Sequence, residues 1–346
     1  ELAVAAINKL ATVNKVDIFV GGMASGTTMA MIPDMKKFAK ITVWAGAASG
    51  KVEQAMEGQD WFFHLHAWDY QQQTLFDRGW QQFGQKHSKF KRKSMFMAYE
   101  DGAFGSSSFK AQGPIASANG YALTGAAFKS IATGGGDYRA ALKQARDAKA
   151  DMFIWVAFAP DALPMLEQAK EIGFVPPVYV GSPPGWPDDF GKSPLSEGVV
   201  FYSYWHDVMK NVSKASKAYS DAFNKEYKEA PNSYFGPLCY ANIMIVADAI
   251  KKAGSLEKAA LIKALETTQY KSPLGDTFVF SKSNIINHQA YALPKIMQYQ
   301  KGKVQVIWPW ELATAKFIYP FTTTEKVAGK DEAAPDAKKA KTKGKK

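Results

Sequence analysis

The chain of 346 residues holds one cysteine, Cys239. A single cysteine excludes an internal disulfide and any cysteine-based zinc site, and its place in the apolar run PLCYANIMIV reads as a small buried residue. No stretch approaches the roughly 18 consecutive apolar residues of a membrane-spanning helix. A basic region, apolar core and small-residue cleavage site are also missing at the start, so any signal peptide is expected to lie outside this sequence. Catalytic constellations are scarce as well. FGSSSF lacks the second glycine of a Gly-x-Ser-x-Gly nucleophile elbow. His64 and His66 alternate on one face of a strand-like segment without a third metal ligand nearby, and read as pocket-lining or core histidines. No cofactor and no metal is implied.

What is present is an apolar content of 47%, 13% of the chain being aromatic, in a length sufficient for two domains with real cores. The formal charge of +11 invites thoughts of nucleic acid, but its distribution argues otherwise. From Glu325 to Lys346, eight lysines stand against four acids in a low-complexity tail that cannot bury a core. Elsewhere basic residues mix with acids, and the one cluster, KFKRK at 89–93, reads as solvated surface rather than a nucleic-acid patch.

Short apolar strands alternate with helical segments throughout. The opening ELAVAAINKLATV is a helical stripe, VDIFVGG (16–22) a strand followed by a helix to about Lys40, and ITVWAGAAS (41–49) a strand followed by a loop. WFFHLH precedes a polar helix from about Asp69 to His87. SMFMAYEDGAFGSSS and ADMFIWVAFAPDALPMLEQAKEIGF each pass from strand to helix, and VYVGSPPGWP and GVVFYSYW supply two more strands. This rhythm, with near-continuous apolar strands, is the pattern of doubly wound parallel sheets, whose ligands bind beyond the carboxyl ends of the strands.

Several loops at such ends can carry chemistry. In FVGGMASGTT, Gly21, Gly26, Thr27 and Thr28 copy the spacing of a phosphate-binding loop, with threonine where its lysine must stand. Ser25, Thr27 and Thr28 would surround the amide groups of a helix start, which suits a carboxylate better than a polyphosphate; an ordinary cap without ligand is the alternative. GAAS places Ala47, Ala48 and Ser49 at the neighbouring strand end. Phe104 and Phe158 close two further strands, either capping the core or walling a pocket. Asp137 in GGGDY is a natural helix cap.

In this order the loops resemble the type I periplasmic binding proteins of ABC importers, specifically the Leu/Ile/Val-binding family. The markers are VGGMASGTT, WAGAAS, DGAFG, DYRAALKQARDAKADMFIWVAF, KEIGF before VYVG, EGVVFYSYW and SYFGPLCYANIMIVADAIKKAGS, spread over residues 1–320. The resemblance implies two doubly wound lobes joined by three crossovers and closing on one small solute. Lobe one would comprise 1–67 plus 204–283, lobe two 68–203 plus 284–320, with 321–346 a disordered basic tail. It further implies that a ligand carboxylate is held by Ser25, Thr27 and Ala47 to Ser49, and that Phe104 and Phe158 close over it from the second lobe. Phe235 would be an aromatic contributed by the first lobe.

Two departures accompany the likeness. The family's opening strand, helix and strand have no counterpart, which would expose a sheet edge. Where the amino-acid binders place a carboxylate after VYVG for the ligand ammonium, this chain has Pro183 in the run Gly181 to Trp186, so either Asp101 or Asp188 substitutes or the ligand is not an α-amino acid. The implied function is a non-enzymatic, monomeric, periplasmic or otherwise extracytoplasmic solute-binding protein that delivers a carboxylate-bearing molecule (an amino acid, an aromatic or branched aliphatic acid, or an amide) to a membrane ABC permease. A ligand sensor of the same fold is the alternative, and an α/β enzyme a more distant one.

Overall fold

The computed structural model describes residues 1–182, 190–231 and 233–321. Pro183, Trp186, Asp188 and the basic tail beyond Phe321 therefore lie outside the described residues. The chain begins α1 (Leu2–Thr12), β1 (Ile18–Gly21), α2 (Ser25–Phe38), β2 (Ile41–Trp44), α3 (Gly50–Ala55) and β3 (Phe62–His64). It continues α4 (Asp69–Lys86), β4 (Ser94–Glu100), α5 (Ala103–Ala118), β5 (Ala122–Phe128), α6 (Arg139–Ala148), β6 (Met152–Val156), α7 (Ala162–Glu171), β7 (Tyr179–Gly181) and β8 (Val200–Ser203). There follow α8 (Lys214–Tyr227), α9 (Phe235–Ala253), α10 (Lys258–Glu266), β9 (Tyr270–Lys271), β10 (Thr277–Phe278), β11 (His288–Gln289), β12 (Lys295–Gln300) and β13 (Lys303–Trp308). No helix among the described residues is long and apolar enough to cross a membrane.

Two sheets organise these elements. The first, in the order β1-β2-β3-β11, is parallel throughout. The second runs β13-β12-β8-β7-β6-β4-β5, parallel from β5 to β8 and antiparallel where β12 meets β8 and β13. β6 is buried along its whole length as MFIWV, as a strand covered on both faces must be. The chain passes between the sheets three times: after β3, after β8 and after β11. α9 packs back on the first sheet, where Asn242 Nδ2 donates to Val43 O at 3.0 Å.

The sequence boundaries shift at two points. His288 and Gln289 pair with Phe63 and His64, so the third passage follows β11 instead of falling at 283. Two-residue strands carry too short a pattern to be seen in a sequence. Phe321, assigned above to the tail, is buried, with its ring 5.5 Å from that of Tyr179 and its amide donating to Pro177 O.

Other expectations also change. Cys239 is exposed, because the apolar run is wider than the buried stripe of α9, which follows Leu238, Ala241, Asn242, Ile245 and Ala249. KFKRK is only partly solvated. Phe90 is buried, and the Arg92 guanidinium, its side chain 7% exposed, pairs with the buried Asp77 carboxylate and lies 4.2 Å over the Tyr121 ring. The segment after GAAS is the short helix α3 rather than a loop, since Ser49 Oγ accepts from Lys51 N at 3.3 Å and Asp69 Oδ2 from Gly50 N at 3.0 Å. Asp137 Oδ1 accepts from Arg139 N at 3.2 Å, although the residue just ahead of α6 is Tyr138.

Candidate functional site

Of the glycines in this turn, the one that packing demands is Gly22, not the Gly21 and Gly26 that imitate a phosphate loop; a Cβ at Gly26 would meet nothing within 4 Å. Gly22 has φ +90°, and a Cβ there would lie 2.3 Å from Trp44 Nε1. Trp44 Nε1 in turn donates to Thr28 Oγ1 at 3.0 Å, and Thr28 donates back to Ala24 O. The turn is thus moulded around the indole of the next strand. Backbone bonds from Ala45 N to Gly21 O and Ala47 N to Met23 O, 2.6 and 2.8 Å, lay the second loop along the first. They hold Ala47 at φ +70°, a conformation that costs a non-glycine residue about 1 kcal/mol or more.

Ser25, 2% exposed, opens α2 between these loops. Its Oγ accepts from Ser49 N at 3.2 Å, and no hydrogen bond among the described residues uses its proton. The first amides of α2 have no intrahelical acceptor, and Ala48 N–H makes no hydrogen bond among the described residues. Donors without acceptors, at the positive end of a helix, suit an anion of one or two oxygens.

Across the gap, two buried carboxylates shape the second sheet's contribution. Glu100 at the end of β4 accepts from Gly102 N and Gly105 N, both at 2.6 Å, and fixes the first turn of α5, which carries Phe104. Asp161 accepts from Phe158 N at 3.0 Å, from Ile131 N at 2.9 Å and from Ser130 Oγ at 2.6 Å, which sets Phe158 at its strand end. The two rings stand 6.0 Å apart at 39°. Both acids are committed to backbone amides and hydroxyls.

Between the sheets lies a partly enclosed cavity of about 30 Å³, less than small-molecule sites ordinarily offer, so its walls must part to admit a ligand. It brings together Ser25, Ala47, Ala48, Phe104, Phe158 and Phe235 of the residues named from sequence. Thr27 is exposed and does not line it, because the helical turn from Ser25 carries position 27 round to solvent. Ser49 is fully buried beneath it, its hydroxyl capping α3 and its amide bound to Ser25. Asp101 is exposed and absent from the lining.

Sequence reasoning missed Gln72, Phe76, Tyr202, Tyr204 and Tyr234, all of which line the cavity. For two of them a signal existed: in FYSYW the strand alternation puts Tyr202 and Tyr204 on one side of the crossover. Gln72 Nε2 donates to Ala67 O at 3.0 Å, and Tyr202 Oη accepts from Trp80 Nε1 at 2.6 Å. His66 lines the cavity too, and burial lowers its pKa to about 4. His64 stays behind it, stacked 3.8 Å from Trp68 and bound to Gly46 O, with its pKa lowered by burial to about 3. At neutral pH both rings are uncharged, and among the described residues no charged side chain lines the cavity.

These loops and sheets find counterparts among known proteins. The model of the family described as periplasmic binding protein matches residues 1–303. The chain belongs to this family. It is 25% identical over 183 residues to Leu/Ile/Val-binding protein homolog 7 of Brucella abortus, covering 51% of this chain and 45% of that one. The chain thus spans about half the length of the curated relatives it matches. Among solved structures, the leucine binding protein LivK of Thermotoga maritima superposes with a TM-score of 0.75 at 18% identity, covering 88% of this chain and 82% of the other. A solute-binding protein of an ABC transporter from R. palustris, in complex with benzoate, gives a TM-score of 0.71 at 17% identity, covering 88% and 80%.

Proposed function

We propose that this protein is the extracytoplasmic solute-binding component of an ABC importer and that its solute is a small aromatic carboxylate. One observation carries the choice of solute: among the described residues the cavity pairs anion-binding donors with aromatic walls and offers no carboxylate to an ammonium. An α-amino acid would bury its cation without a partner among the described residues, at several kcal/mol. An acid without the amine leaves the donors at Ser25 and Ala48 satisfied and its ring among Phe104, Phe158 and Phe235. The benzoate complex of the R. palustris neighbour supports this reading by analogy of fold.

Contacts from both lobes let the ligand favour the closed form that a membrane permease would recognise. The protein acts as a monomer, without a cofactor and without turnover. Native mass spectrometry of the protein purified from its own host tests the reading. A co-purified aromatic acid is the expected result; a co-purified aliphatic amino acid would overturn it.

A further inference from the structure

The far side of the cavity carries a second set of polar groups. His66 is neutral, so its ring holds one proton, and the atom nearest its Nδ1 is Ala67 O at 2.9 Å, which can only accept. The proton therefore sits on Nδ1, and Nε2 is left as an acceptor. Tyr234 Oη lies 3.2 Å from Nε2 and donates to it, so the Tyr234 oxygen keeps lone pairs but has no proton to offer elsewhere. Tyr204 packs edge-on against the same imidazole, ring centroids 4.7 Å apart, and 5.2 Å from the Tyr234 ring.

Tyr204 is 4% exposed and lines the cavity, and among the described residues its Oη has no hydrogen-bond partner. A buried hydroxyl without a partner is unfavourable, and native structures rarely retain one without a reason. One phenol with a proton to give thus stands beside another able only to accept. Both belong to the end of the cavity formed around His66, which follows β3, two strands across from Ser25 after β1. Two strand spacings are about 10 Å, the reach of one substituted ring with hydrogen bonds at both ends.

We infer that Tyr204 and Tyr234 form a second polar pole that takes a hydroxyl carried on the ring of the bound acid, donating to Tyr234 and accepting from Tyr204. Tyr204 is then a specificity-determining residue, and the solute is a hydroxylated aromatic acid in preference to a bare one. The inference rests on the aromatic-acid reading above.

Calorimetric titration of the full protein with benzoate, 3-hydroxybenzoate and 4-hydroxybenzoate tests it, in the wild type and in Tyr204→Phe. The wild type is expected to bind one of the hydroxylated acids about 10- to 100-fold more tightly than benzoate. Tyr204→Phe is expected to abolish that preference. Equal affinities in the wild type, or an equal loss for all three acids in the variant, would overturn the second pole while leaving the aromatic-acid reading in place. Binding of leucine with no response to any of the three acids would overturn both. Thermal melting establishes that the variant is folded; should it not be, the wild-type series and Tyr234→Phe, expected to weaken the hydroxylated acid selectively, decide the matter.

Discussion

Replacing Ser25 by alanine separates the two tasks of its hydroxyl. The oxygen accepts the buried Ser49 amide at 3.2 Å, and the variant leaves that amide without a partner, which lowers stability by about 1–3 kcal/mol. The proton, unused within the chain, is the part that would reach a ligand carboxylate. A charge-assisted bond of this kind contributes about 1.5–3 kcal/mol, so affinity for an aromatic acid should fall by roughly 10- to 100-fold. Ser49→Ala supplies the control. It removes the cap of α3, at about 1 kcal/mol, but keeps the amide that Ser25 accepts, and should leave affinity within about twofold. Calorimetry gives the affinities, and urea melts the stabilities. A Ser25→Ala protein of reduced stability and unchanged affinity would show that the serine only braces the loops, and would refute its role as a ligand donor.

Arg92→Met should be severe, with about 3–5 kcal/mol lost in urea unfolding, because the buried Asp77 carboxyl loses its guanidinium and keeps, among the described residues, Tyr121 Oη and Gln81 Nε2 as partners; a loss under 1 kcal/mol would show that water reaches the carboxylate. The histidines predict a pH dependence. His64 and His66 titrate at about 3 and about 4 when folded, below their ordinary 6.5, so the unfolded chain takes up protons first as the pH falls. Their contribution is therefore complete above pH 6.5 and declines by about 1.4 kcal/mol per pH unit for each ring as the pH drops toward 4. Burial raises the pKa of Asp69 and Glu53, which opposes the trend, so the ring signals in an NMR titration are the cleaner readout. Both should remain those of neutral imidazole at pH 5.5, and half-protonation near pH 6.5 would contradict their burial.

The strand-helix rhythm and the loops that form the cavity were legible because both rest on local rules. Apolar strands, glycine turns and serines at helix starts announce themselves over a few residues, which is how the Ser25 loop came to be named, whereas Ala47, Ala48, Phe104 and Phe158 were assigned to a ligand through the family resemblance. What failed depended on neighbours distant in the chain. Thr27 and Ser49 carry the same hydroxyl as Ser25, and only the packing of α2 against the adjacent loop distinguishes the three. Arg92 looked solvated until Asp77, fifteen residues earlier, was placed beside it. The tyrosine pole depends on distant neighbours in the same way: Tyr204 and His66 each left a local signal, but they meet Tyr234 only through the fold.

The absence of a cation partner among the described residues of the cavity is tested most directly by paired ligands that differ only in the amine. Titration with 3-phenylpropanoate against L-phenylalanine, and with 4-methylpentanoate against L-leucine, isolates that group. Tighter binding of the amine-free acid in each pair, by about 100-fold or more, is predicted from several kcal/mol of unpaired buried charge. Tighter binding of the amino acids would contradict the account and place a carboxylate within reach of the ammonium.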